Sequence, residues 1–192
     1  MDGTACTSAG KMLCMTGLPE RTEAAPYYFT YIDRITSADI VDRLERQLEE
    51  ATGFLNSISE EKSLCRYAPG KWSIREVLNH LNDCERMFVF RAFWFARGFD
   101  TPLPSFEQEI AVARAHADDV PWSWHVQEFQ QIRRATLPFF RNLPEDSWKH
   151  TGIASGNQFT VRALAYIAAG HVDHHLAILR ERYLENTYSA LG

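Results

Sequence analysis

The chain has 192 residues, 45% of them hydrophobic, and a formal net charge of -5. That is enough apolar material for one sizeable core, and nothing forces a second domain. The negative balance, with no basic run, excludes a general nucleic-acid binder, and no uninterrupted apolar stretch approaches the roughly 20 residues of a membrane span.

The first 26 residues are small, polar and aperiodic, and they lack the apolar core of a secretory signal. Residues 1–26 are therefore expected to form a flexible, disordered tail before a single domain over 27–192. Residues 37–58 carry helical periodicity. Ile40, Val41, Leu44, Leu48, Ala51, Leu55 and Ile58 make the apolar stripe, and Asp39, Asp42, Glu45, Arg46, Glu49 and Glu50 fill a solvated face. "WSIREVLNHL" opens a second helix, with Ser73 and Glu76 spaced as a capping box. It is expected to reach residue 97, with Gly98 as its stop. Pro102 and Pro104 break the helix, and a short one is expected over 108–116. A third long helix runs from about 123 to 143, and Pro138 should kink it or end its regular part. "TGIASGNQFTV" suits a short extended pair, and Thr160 caps a fourth helix reaching about residue 185.

Four long amphipathic helices with unequal connections and little strand alternation predict an all-α four-helix bundle with a short extra helix. Cys6, Cys14, Cys65 and Cys84 form no CxxC pair and no small-domain disulfide spacing. They read as reduced thiols of a cytoplasmic protein.

Three of the seven histidines cluster in "AAGHVDHHLAILRERY". His171 pairs with His174 at i,i+3 and with His175 at i,i+4, so spacing alone admits either pair as metal ligands. At about 100° per residue from Val161, His175 falls near 320° and His171 near 280°, inside the apolar arc, whereas His174 falls near 220°, at its polar margin. The inward pair is His171 and His175. Two histidines are too few for a catalytic metal site. His80, the one histidine of the second helix, lies at the edge of the stripe of Val77, Leu81, Cys84, Phe88 and Phe95 and completes a candidate set. His116, His125 and His150 stand in or near loops and polar surroundings. Three neutral imidazoles with an open position suit a Lewis-acid site for zinc, nickel or another late divalent ion. "HVDHH" places Val172 where a zincin carries Glu, which argues against a metalloprotease.

Cys84, one turn from His80, is a fourth ligand, a pocket thiol or a small buried apolar residue. Glu85, Arg91 and Arg182 are charged residues on stripes that should be apolar, where burial is costly without a partner. They either line a metal pocket, with an arginine gripping an anionic substrate group, or form an internal Glu–Arg bridge that fixes helix register. Arg182 follows His175 by seven residues and is expected on the same face. Phe90, Phe93 and Trp94 lie opposite the main stripe, to be covered by the chain's own segments or by a homodimer interface.

"YAPGKWSIREVLNHLNDCERMFVFRAFWFARG", "TPLPSFEQ" and "ALAYIAAGHVDHHLAILRERYL" together resemble the DinB-like, or DinB/YfiT-like, superfamily, over roughly residues 26–185. The resemblance implies an up-down-down-up bundle with a divalent metal on His80, His171 and His175. It further implies a low-molecular-weight thiol as partner and S-transferase-like chemistry, in which the metal-activated thiol attacks an electrophile. A metal-dependent hydrolase and a non-catalytic stress-response bundle that binds a metal or small molecule are the alternatives. No acid–base residue stands out beside the histidines.

Overall fold

The computed structural model describes residues 16–184. In chain order it contains a single turn α1 (Phe29–Ile32), α2 (Ile40–Asn56), α3 (Ile74–Ala96), α4 (Gln108–Ala115), α5 (Trp122–Arg141), a hairpin of β1 (Thr151–Ala154) and β2 (Asn157–Thr160), and α6 (Val161–Ile178), which runs on as a π-helical turn over Leu179–Leu184.

Local chemistry sets the boundaries. The Ser73 hydroxyl accepts from the Glu76 N–H at 3.0 Å, and the Glu76 carboxylate accepts from the Ser73 N–H at 2.7 Å, so α3 opens on the expected capping box. Asp39 caps α2 through the Asp42 N–H, and Thr160 caps α6 through the Ala163 N–H, both at 3.0 Å. Pro138 does not interrupt α5, which continues to Arg141. It stands in the last turn, where only the Arg134 carbonyl loses its donor. The extended pair forms with register Thr151↔Thr160, closed by Ser155 and Gly156 at φ 52° and 72°. Two consecutive positive φ values match the twist of a two-residue hairpin.

Contacts between helices fix their directions. Asn82 and Glu85 of α3 meet Glu128 and Arg133 of α5 in the same order, so these two run parallel. Leu44 meets Arg133 while Leu55 meets Trp122, so α2 and α5 are antiparallel. Trp72 and His80 meet Tyr183 and His171, so α3 and α6 are antiparallel as well. The result is an up-down-down-up bundle of α2, α3, α5 and α6.

The core divides into two apolar clusters. One holds Ile40, Leu44, Phe88, Phe95, Phe140 and Leu164, and the other Leu55, Leu78, Leu81, Phe129, Val172 and Leu176. Between them each long helix places a buried polar residue: Gln47, His80 with Glu85, Arg133, and His171. On one side of this layer, Arg133 Nε and Nη2 donate to the two Glu85 oxygens at 2.7 and 2.8 Å, and its Nη1 donates to the Leu44 carbonyl and Gln47 Oε1. Gln47 Nε2 donates onward to the Ala169 carbonyl and to Asp173, which also accepts from Arg43. The network ties all four long helices to one register.

The expected tail boundary at residue 26 needs correction. Glu23 is buried, accepts from the Thr160 hydroxyl at 2.6 Å and pairs with Arg162. The Gly17 N–H donates to the Ala38 carbonyl at 3.1 Å. Residues 16–26 therefore belong to the fold, because Glu23 is the counter-ion of a helix arginine. The remainder of the expected tail, with Cys6 and Cys14, lies outside the described residues. Phe90 and Phe93 are exposed, while Trp94 stacks on Phe99 at 4.2 Å. No helix among the described residues is long and apolar enough to cross a membrane.

Candidate metal centre

The histidine half of the polar layer is built by α3 and α6. His171 Nε2 stands 3.2 Å from His80 Nε2 and 3.1 Å from His175 Nε2. The three imidazoles offer ligand atoms that all lie within 4.8 Å of one another. A neutral ring nitrogen carries either one proton or one lone pair. His171 Nε2 can therefore satisfy only one of its two close neighbours by hydrogen bonding. A single cation accepting all three lone pairs removes the conflict. Nitrogens 2.0–2.1 Å from one tetrahedral ion stand about 3.3 Å apart, close to both separations found here.

Burial keeps the lone pairs available. It lowers His80 to about 4 and His175 to about 3, the latter helped by His80, His174 and Arg34, and it takes His171 well below its ordinary value. All three are neutral at pH 7. Aromatic rings hold them in place: Tyr31 meets His171 edge-on at 5.1 Å and Trp72 packs on His80 at 5.0 Å. Tyr31 arrives there because α6 has Gly170 one residue before the ligand candidate. A Cβ at Gly170 would stand 2.1 Å from the Tyr31 carbonyl oxygen, so only glycine lets α1 rest on α6 at that point.

The centre separates two cavities. One, of about 280 Å³, reaches His175 and is lined by Tyr67, Lys71, Trp72, Glu109 and Arg182. The other, of about 110 Å³, reaches His80 and His171 and is lined by Tyr28, Tyr31, Cys84 and Arg91.

A model of the DinB superfamily matches residues 43–179, which span both helices of the centre. The chain belongs to the DinB superfamily. It is 23% identical over 163 residues to a protein of Oceanobacillus iheyensis named as a putative metal-dependent hydrolase, covering 82% of this chain and 92% of that one. Among solved structures it is similar to YfiT from Bacillus subtilis, described as a probable metal-dependent hydrolase with an unusual four-helix bundle topology. That likeness has a TM-score of 0.66 at 18% identity and covers 77% of this chain and 87% of YfiT.

In this DinB-superfamily chain the other candidate residues separate. His174 is only half-buried, stays outside the nitrogen cluster and leaves its Nδ1 without a partner. The Cys84 Sγ lies 3.6 Å from the His80 ring nitrogens, and burial pushes the thiol up to about 12, so it is a neutral wall residue. Glu85 does not line either cavity, and its partner is Arg133 rather than Arg91 or Arg182. Arg182 is exposed, with its guanidinium over the Tyr67 ring at 5.6 Å. It nevertheless stands on the His175 side, as the seven-residue spacing predicts, and lines the cleft that reaches that histidine. Arg91 is buried and does reach the smaller cavity. His125 is not a loop residue: it is buried in α5 with Nε2 2.9 Å from the Ala117 carbonyl. Sequence reasoning overlooked Tyr31, Trp72 and Glu109. Gly170 beside His171 was the one local sign that another segment approaches there.

Proposed function

We propose that this protein is a metal-dependent enzyme in which His80, His171 and His175 hold a divalent ion, zinc or nickel, that activates a small nucleophile. The convergence of three neutral Nε2 atoms carries this reading. When bound, such an ion lowers the pKa of a water or thiol at its remaining position. The chain's own residues do the rest. Burial holds the imidazoles neutral, and Tyr31 and Trp72 fix their ring planes. Asp173 and Glu85 are tied to arginines, which leaves Glu109 as the carboxylate on the wall of the cleft that reaches His175. It is placed to take up a proton there.

Water as nucleophile, giving hydrolysis, agrees with the names of the relatives. Thiol S-transfer is the second reading. The larger cleft favours it: Tyr67 and Trp72 offer apolar surface and Lys71 and Arg182 offer charge beside His175, as a charged low-molecular-weight thiol would need. A homodimer through the exposed Phe90 and Phe93 rings belongs to the same proposal.

The test is turnover by full-length protein stripped of metal and reloaded with zinc or nickel, against a panel of esters, amides and thiol–electrophile pairs. Metal-dependent turnover that His171→Ala abolishes is the expected result. No turnover on any pair, together with a fourth protein ligand closing the coordination sphere, would overturn it.

A further inference from the structure

Among the described residues five arginines have mostly buried side chains, and four of them face a carboxylate, Arg43 doing so through Asp173. Arg133 pairs with Glu85, Arg75 with Glu60 and Arg162 with Glu23. Arg91 is 3% exposed, and among the described residues it has no carboxylate within salt-bridge distance. Its Nη2 donates to two neutral acceptors, the Pro104 carbonyl and Ser155 Oγ, both at 2.9 Å. The Tyr28 hydroxyl is a third polar neighbour. A buried guanidinium without a counter-ion is costly to keep, and a core residue of similar volume would not carry that cost.

The chain nevertheless builds a mount for it. Ser155 holds a left-handed φ of 52°, a conformation that favours glycine or asparagine, and its hydroxyl is the acceptor that orients Arg91. The hairpin is pinned in turn by Leu103, whose N–H donates to the Ile153 carbonyl and whose carbonyl accepts from the Ser155 N–H. Arg91 then lines the cavity of about 110 Å³ that reaches His80 and His171. The other polar groups of that wall are the hydroxyls of Tyr27, Tyr28 and Tyr31, the Gln108 amide and the Cys84 thiol, with no acid among them.

We propose that this cavity is an oxyanion subsite, in which Arg91 grips a carboxylate or phosphoryl group of the substrate on the His80–His171 side of the histidine cluster. With both Nη2 hydrogens held by Pro104 and Ser155, the guanidinium offers such a group its charge and the N–H donors of its remaining nitrogens, and the tyrosine hydroxyls can donate to another of its oxygens. The assignment of the anion to a substrate rests on the proposed metal-dependent activity. The anion site itself does not.

The experiment is calorimetric titration of acetate and of inorganic phosphate into full-length protein, metal-free and zinc-loaded, with Arg91→Met, Arg91→Lys and, as a surface-charge control, Arg141→Gln. Saturable binding of one probe to metal-free wild type and to Arg141→Gln is expected. At least tenfold weaker binding in Arg91→Met and an intermediate value in Arg91→Lys would accompany it. Which probe binds names the group. Arg91→Met should unfold at or above the wild-type temperature, so a fold defect will not mask the result, and Arg91→Lys gives an independent reading. Equal binding by wild type and both variants, or no saturable binding of either probe, would overturn the proposal. Binding in the metal-free protein with no turnover on any substrate would instead count against the enzymatic reading alone.

Discussion

The two halves of the buried polar layer solve the same problem in opposite ways. On the α2–α5 side, Arg133, Glu85 and Gln47 satisfy one another, and Arg133 is 0% exposed. On the α3–α6 side, three neutral imidazoles crowd one point and Arg91 stands without a carboxylate. A self-sufficient polar cluster costs the fold little and fixes register. A cluster that its own chain leaves unsatisfied has groups free for something from outside. Buried polarity alone therefore does not mark function here. The state of its partners does.

The sharpest way to break the comparison is to damage the satisfied half. Arg133→Met strands the Glu85 carboxylate in the core and should cost about 3–5 kcal/mol in denaturant unfolding. Adding Glu85→Leu should recover much of that loss, as the whole charge pair is then replaced by apolar volume. A small effect of the single substitution would place these residues on the functional side after all.

Next in size is the contact that brings Tyr31 to the histidines. Gly170→Ala drives a methyl into the Tyr31 backbone and should destabilise by about 1–3 kcal/mol, in line with overpacking elsewhere. Thermal unfolding measures it. An unchanged melting temperature would show that α1 is not seated on α6 as described.

The histidine half also has a pH signature. Above pH 6.5 the imidazoles are neutral in both folded and unfolded chains and add no pH dependence. Below it, the unfolded chain takes up protons that buried His80 and His175 refuse until about 4 and about 3. The unfolded state then binds more protons, so the metal-free protein loses stability as pH falls from 6.5 towards 4. Each histidine contributes up to about 1.4 kcal/mol per pH unit. Denaturant midpoints from pH 7 to 4.5 should slope less in His80→Ala than in wild type. The smallest effect belongs to Arg182→Gln, within about 0.5 kcal/mol of wild type because the side chain is exposed. A larger loss would restore the buried position expected from helical spacing.

Much of this was legible in the sequence wherever information is local. Periodicity located all four long helices, the Ser73–Glu76 box opened α3 on the right residue, and the helical wheel separated His174 from His171 and His175. What stayed hidden depends on partners far along the chain. Nothing near Glu85 says that its counter-ion lies 48 residues on, at Arg133. Nothing near Glu23 says that Arg162 will draw it into the fold. Arg182 was legible in part: spacing put it on the His175 side, where it lines the cleft, but a wheel cannot show that the side chain stands in solvent there.

The central claim is that the chain separates its clustered histidines into ligands and a bystander. Metal content of purified wild type, His80→Ala, His171→Ala, His175→Ala and His174→Ala tests it most directly. One zinc or nickel per chain in wild type and in His174→Ala, with loss in the other three, is the predicted result. Loss in His174→Ala as severe as in His175→Ala, or retention in His80→Ala, would contradict it.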